Sequence, residues 1–566
     1  MMIRMRRATV VVAATAALGL ALSGCQQQNN GSGGVDSDKA DKEISALPTT
    51  DYQKASYDEV ADGGTLTYPM TEIPASLNYY HADGAHVDNN NLYGTSLGGP
   101  ISIKADGTWE VDKNYAESVE VASEDPLVID VKLNKDAVWE DGTPIDVEDY
   151  KAFWKTRDGK SDEYQVASTK GYEDIESIEP GADKYEVKVT FKTPNIDWPN
   201  YIAAPLPNEI SEDPEVFNKE YTKKVLPSNG PFKAESVDNK SGVITMVRND
   251  KWWGQTPKLE KVVFKVVSQA QQAQAYANKE IDVVDVGTDG DAYQTANNRE
   301  DGAIYKSQGM QWTHLTMNAE KGALKNQEVR DAIGRAVNRE AIAQAAIGPV
   351  EAPVTLVNNY TFMPGQKGYQ DNTGGSLDFD PEAAKKILDD AGWTPGDGGV
   401  REKDGEKLQF KIVVPADTAS NAQRAEQIMK DLNEVGFKIE LETVPVAAYF
   451  ADNILNGNFD MATFTWEGTA FPISSGSNLF YPADSEQNYS KISSDEIGEK
   501  FKAATATLDE EEARKLANEG DAAIFKLKPV IPIYPTPYVW GVKDDIVNLG
   551  PRQLETPDWT TIGFKD

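Results

Sequence analysis

The chain has 566 residues, one cysteine, three histidines and a formal charge of −35. So acidic a protein is not held by charge to nucleic acid or to an anionic membrane surface, both being polyanions. A lone cysteine leaves no internal disulfide, and the acidic surface by itself serves solubility rather than naming a ligand.

Met1 to Arg7 carries Arg4, Arg6 and Arg7 and no acid; without these three arginines the charge falls from −35 to −38. Ala8 to Leu22 is an apolar run of 15 residues, short for a bilayer span and flanked like an export signal. Leu22-Ser23-Gly24-Cys25 follows and matches the bacterial lipobox, which makes Cys25 the expected lipid attachment point, residues 1–24 a signal peptide, and the outer face of the cytoplasmic membrane the expected location. Two acyl chains at about 0.8 kcal/mol per buried methylene anchor durably. From Gln26 to about Tyr57 apolar residues are few, so residues 25–60 read as the lipidated cysteine and a flexible tether.

From Gly63 the pattern mixes strands and helices. Strands are predicted over Thr65–Met70, Val119–Leu133, Tyr185–Phe191, Gly242–Arg248, Leu259–Val267 and Ile281–Val286. Asp146 to Trp154 is predicted to be a helix capped by Asp146, with Asp149 at the capping-box position. A second helix starts at Pro381 behind Asp380 and ends at Gly392, with Phe379, Ala383, Ala384, Ile387, Leu388 and Ala391 as its apolar contacts. Lys407 to Pro472 then reads β-α-β-α-β: strands at Leu408–Val414, Phe437–Val444 and Phe459–Trp466, helices at Asn421–Val435 and Val446–Leu455. Such units build a parallel sheet, and ligands bind beyond the carboxyl ends of its strands. That places Pro415–Ser420 and Glu467–Ser475 as candidate ligand loops, with Trp466 either lining a site or closing the sheet's core.

Lys135-Asp136-Ala137-Val138-Trp139-Glu140-Asp141-Gly142-Thr143-Pro144-Ile145-Asp146-Val147-Glu148-Asp149 resembles the signature of extracellular solute-binding proteins, family 5, which serve peptide- and nickel-type ABC importers. Asn229-Gly230-Pro231-Phe232, Trp252-Trp253-Gly254, Glu280-Ile281-Asp282-Val283, Val329-Arg330-Asp331-Ala332-Ile333 and Asp380-Pro381-Glu382-Ala383-Ala384 follow in the family's order, and the similarity, of actinobacterial lipoprotein type, runs over about residues 62–566. The resemblance implies an α/β fold with mixed sheets and flanking helices, a type II periplasmic-binding-protein-like clamp with an extra domain. Residues 61–312 would form the first lobe, with the extra subdomain at about 80–210. Residues 313–528 would form the second lobe and 529–566 the return to the first. Crossovers are expected near Gln311–Asn318 and in Pro529–Trp540.

The resemblance also implies partners: a peptide or other small solute, an ABC permease and its ATPase, the membrane through the lipid anchor, no nucleic acid and a monomeric protein. The site residues it points to are Trp466, Glu467 and Phe471, with Trp312 and His314 near the hinge and Tyr80, Asn91 and Tyr93 in loops bordering the cleft. Peptide-binding members usually carry an aspartate three positions after this tryptophan, pairing with the peptide's α-ammonium. Here the position is Thr469. Either Glu467 substitutes or the ligand has no free amino terminus, since a buried ammonium without a counter-charge is costly. Relatives bind sugars, nickel complexes and haem, and some are linked to cell-wall mannolipids, so a glycolipid- or sugar-binding sensor or regulator is the alternative.

No Ser-x-x-Lys, Gly-x-Gly-x-x-Gly or phosphate-binding loop occurs. His81, His86 and His314 with one cysteine make no zinc site, His81 and His86 reading as surface residues. No cofactor or metal is expected. The 91 carboxylates leave an envelope hydrolase open only in principle.

Overall fold

A computed structural model describes residues 47–202, 205–416 and 418–566. Cys25, the signal and most of the tether lie outside the described residues. The described part forms one compact unit of mixed α/β structure, and none of its helices is long and apolar enough to cross a membrane.

Two large apolar clusters organise it. The first gathers residues from Leu66 to Val283 and closes with Val542, Ile546, Leu549, Trp559 and Ile562 from the end of the chain. Over it lie two four-stranded sheets. One pairs Thr65–Met70 parallel to Lys261–Val266, then adds Val243–Arg248 and Phe232–Asp238 antiparallel. The other is antiparallel, in the order Ala116–Glu124, Leu127–Leu133, Glu186–Phe191, Ile175–Pro180. The single strand expected over Val119–Leu133 is therefore a hairpin. Asp125-Pro126 turns the chain, and Pro126 has no N–H to continue a ladder.

The second cluster runs from Met310 to Tyr534 around a five-stranded sheet in the order Lys438–Val444, Gln409–Pro415, Met461–Glu467, Gln311–Met317, Val530–Pro535. Its first three strands are parallel, Gln409 facing Lys438 and Ile412 facing Met461, as the β-α-β-α-β pattern requires. Ala419–Glu434 is the first crossing helix. The second is a short α turn, Val446–Ala448, followed by a π-helical stretch, Tyr449–Ile454.

Capping chemistry acts as read from the sequence. Asp146 and Asp149 form a capping box at Val147–Arg157, and Asp380 Oδ1 accepts from Ala383 N at 2.9 Å. Ala384 and Leu388 bury their side chains, but Phe379 stays 46% exposed because it precedes the cap and points off the helix's packed face.

Between the clusters the chain changes sheet twice. Gly302–Ser307 pairs with Tyr538–Lys543 in a three-stranded sheet with Val283–Asp285, whereas Gln311–Met317 already belongs to the five-stranded sheet. Gln308–Met310 and Thr536–Pro537 are therefore the connecting segments, side by side, with Thr536 N donating to Gln311 O at 2.8 Å. Leu47 to Tyr57, read as tether, is bound to the body instead. Asp51 accepts from Lys306 N at 2.8 Å, Asp51 N donates to Pro551 O at 3.1 Å, and Leu47 packs on a third, smaller cluster.

Candidate functional site

The main cavity, of about 750 Å³, lies beside these connecting segments. That is the size of small-molecule and short-peptide sites. Its walls come from five places: Tyr68 to Thr71, the helix Val87–Gly94, the start of the helix Gln269–Ala277, Val283–Asp285 with Tyr538 and Trp540, and Leu549 to Trp559. Met310, Glu467 and Gly468 close it from the other cluster's side.

Five charged side chains line it: Asp88, Asp285, Glu467, Glu555 and Arg552. Asp88 is committed, its Oδ2 accepting from Thr71 N at 3.0 Å, Thr71 Oγ1 at 2.6 Å and Glu72 N at 3.2 Å. Glu555 accepts the Tyr52 hydroxyl at 2.7 Å, and Arg552 lies 4.6 Å over the Tyr52 ring while donating to Asn548 O at 2.9 Å. Asp285 and Glu467 are the acids turned to the cavity's interior. Both line the cavity, and desolvation by the surrounding protein raises both carboxyls. Asp285 is pushed up to about 6, against a bond accepted from Gly287 N at 2.9 Å. Glu467 is raised by the same desolvation, against its cross-strand neighbour Gln311. Tyr538 senses both: burial first, then the charges of Glu467 and Asp285, push its hydroxyl up to about 12. Both acids therefore act on the same tyrosine hydroxyl.

The residues expected from sequence scatter. Asn91 and Glu467 line the cavity. Tyr93 does not: it is buried, its hydroxyl donating to Leu77 O and accepting from Leu226 N at 3.0 Å. Asn91 and Tyr93 sit on the helix Val87–Gly94 rather than in a loop, so one turn presents Asn91 to the cavity and Tyr93 to the core. Tyr80 packs edge-on to Phe153 at 4.7 Å in the first cluster. His81, read as a surface residue, is buried and accepts at Nδ1 from Asp83 N at 3.0 Å.

Trp312 is buried in the second cluster. His314 is buried beside it, edge-on to Phe464 at 4.4 Å, and burial with Arg424 nearby holds its imidazole well below the usual range, hence neutral. Trp466 lies parallel between His314, at 6.2 Å, and Tyr489, at 5.7 Å. Thr469 is used internally, its carbonyl accepting from Gln366 Nε2 at 2.9 Å and its Oγ1 from Phe471 N at 3.3 Å. Phe471 lines a separate cavity of about 50 Å³ with Trp109, Asp197 and Arg514. Trp252 and Trp253 pack with Tyr115 and donate to Gln255 O and Asn114 O.

Stacking on two rings makes Trp466 a packing residue first. Trp466→Ala is expected to cost about 2–3 kcal/mol in a denaturant titration, with little change in affinity for a short peptide measured by calorimetry. The opposite pattern would return Trp466 to the site. Sequence reasoning missed Asp285, Arg552, Tyr538 and the whole stretch Leu549–Trp559. That stretch has no periodicity, and its only signal is Arg552, Gln553 and Glu555 crowded between Pro551 and Pro557, with Trp559 just beyond.

The family model for bacterial extracellular solute-binding proteins, family 5 (middle), matches residues 110–488. The chain belongs to that family. Oligopeptide-binding protein OppA of Mycobacterium tuberculosis is 34% identical over 530 residues, 93% of this chain and 89% of that one. An uncharacterised lipoprotein of the same organism is 25% identical over 85% of this chain and 87% of its own. Among solved structures, the periplasmic EDTA-binding protein EppA superposes with a TM-score of 0.81 at 25% identity, over 92% of this chain and 99% of that one. The two-lobed fold of this family 5 chain, and its standing as a binding protein rather than an enzyme, follow from these relationships.

Proposed function

We propose that this family 5 chain is the lipid-anchored substrate-binding component of an ABC importer, which captures an oligopeptide-like solute by closing two lobes around it and passes it to a membrane permease. In this reading residues 61–312 with 529–566 make one lobe and 313–528 the other. Gln308–Met310 and Thr536–Pro537 act as the hinge, Cys25 carries the anchor and the partner ATPase supplies the energy. Closure shifts an equilibrium by no more than the ligand's preference for the closed form.

The observation that carries the ligand class is the cavity's charge, four carboxylates against one guanidinium. Asp285 and Glu467, converging on Tyr538, offer a counter-charge for a free α-ammonium where Thr469 offers none. The same acid excess works against a polyanion such as EDTA. The oligopeptide-binding relative supports the peptide class, and the lipoprotein relative supports the anchor.

The test is mass spectrometry of what the protein beginning at Gln26 carries out of the cell. Short peptides with free amino termini are expected; a glycolipid or sugar without peptides would overturn the reading. A pH titration adds a second check. Protonation removes the Asp285 charge, so affinity for a cationic peptide is expected to fall as pH drops through about 6. Asp285→Asn should weaken binding at pH 7.5 and flatten that limb in calorimetry.

A further inference from the structure

The loop that follows the strand Met461–Glu467 does two things within a few residues. Glu467 and Gly468 line the main cavity, and Phe471 to Ser474 meet the other half of the molecule. The helix Pro472–Gly476 starts there with Phe471 in the N-cap position, a residue with no side-chain acceptor. The acceptor comes from far away in the chain. Asp197 Oδ2 accepts from Ser474 N at 2.6 Å and from Ser474 Oγ at 2.7 Å, so it serves as the cap at the third helical position. Asp197 is 3% exposed, and its own N–H donates to Asn195 Oδ1 at 3.0 Å, which ties its backbone locally.

Other contacts place this bond on the seam between the halves. Ile196 N donates to Thr505 O at 2.8 Å, and Ile196 packs against the second apolar cluster while Trp198, two residues on, belongs to the first. Lys367 N donates to Asp106 O at 2.8 Å close by. A carboxylate this enclosed keeps its charge only through the donors it meets. Separation of the halves would return both Asp197 and the helix's N–H groups to water.

We propose that Asp197 is a latch: a cap supplied by one lobe to a helix of the other, which holds the closed arrangement and positions the Glu467–Ser474 loop over the cavity without touching ligand. Asp197 is a positioning residue for binding, and its role does not depend on which solute is bound. Loss of the cap lowers the closed fraction, and apparent affinity falls in proportion.

The test uses the full chain with no ligand added, read by hydrogen exchange over residues 471–476 and by the radius of gyration from X-ray scattering. Asp197→Ala is expected to speed exchange there by on the order of tenfold and to expand the particle. Asp197→Asn, whose amide oxygen caps equally well, is expected to restore both. Ser474→Ala keeps the backbone donor and should fall between them, which preserves the test if the alanine variant at Asp197 folds poorly. Equal exchange and an unchanged radius in Asp197→Ala would overturn the latch. So would a loss of thermal stability with no expansion, or failure of Asp197→Asn to rescue.

Discussion

Gly309→Ala is expected to be among the most damaging single substitutions in this chain. A Cβ at Gly309 would lie 1.9 Å from Thr536 O, a backbone atom of the other connecting segment. No rotamer relieves such an overlap, so the two segments must part. Parting them strains Thr536 N to Gln311 O and Gly468 N to Met310 O, both at 2.8 Å, the second being the bond that seats the cavity loop. A loss of about 3 kcal/mol or more is expected in a denaturant titration, together with loss of ligand binding in whatever fraction folds. Wild-type stability in Gly309→Ala would mean that the segments have room to separate, and the hinge would have to be sought elsewhere.

Asp521→Ala should be comparably costly for a different reason. From Glu351 to Asp380 the chain has no helix or strand, yet it reaches both halves: Pro364 O accepts from Gln553 Nε2 at 2.7 Å, and Lys367 N reaches Asp106 O. A structureless connection of this length persists only where side chains replace the missing ladder bonds. Asp521, buried on the helix Glu510–Leu527, accepts from Tyr360 N at 2.8 Å, Thr361 N at 3.1 Å and Asn372 Nδ2 at 2.8 Å. Alanine leaves these donors unpaired, at about 3–5 kcal/mol.

Burial also raises the Asp521 carboxyl from 3.8 to about 7, although the donors it meets oppose the shift. A folded-state pKa above the unfolded one means that the group's contribution to stability is complete below about pH 4 and is lost as pH rises through 7. Between pH 5 and pH 8 the wild-type chain should therefore lose about 2 kcal/mol more than Asp521→Asn. Parallel pH profiles of the two unfolding midpoints would show that this carboxylate is not the titrating group.

The stretch Lys407–Pro472 shows what kind of information was legible in the sequence. Its strands alternate or run apolar, its first helix repeats at helical spacing, and Gly436 at φ +101° stops that helix, so each element follows from neighbours within a few residues. The parallel pairing of Gln409 with Lys438 follows in turn, because a helix between two strands leaves little other topology. The same holds for the Asp146 and Asp380 caps. Local rules failed where a residue's partner is remote. Tyr93 and Asn91 differ by two positions on one helix, and only its packing decides which faces core and which faces cavity. Trp466 lies at the end of a strand where ligands are expected, and its ring runs parallel to those of Tyr489 and His314.

The element types of the second half, the capping residues, the export and lipobox pattern and the family resemblance all rest on short-range spacing and were readable residue by residue. The site rests on packing. Asp285, Glu467 and the neighbouring pair Tyr538 and Arg552 come from three separate parts of the chain, and they meet only because it crosses between sheets at Gln308–Met310 and returns at Thr536–Pro537. No periodicity records that meeting. The desolvation that raises Asp285 and Glu467, and the bond that makes Asp197 a cap for Ser474, arise only in the folded chain.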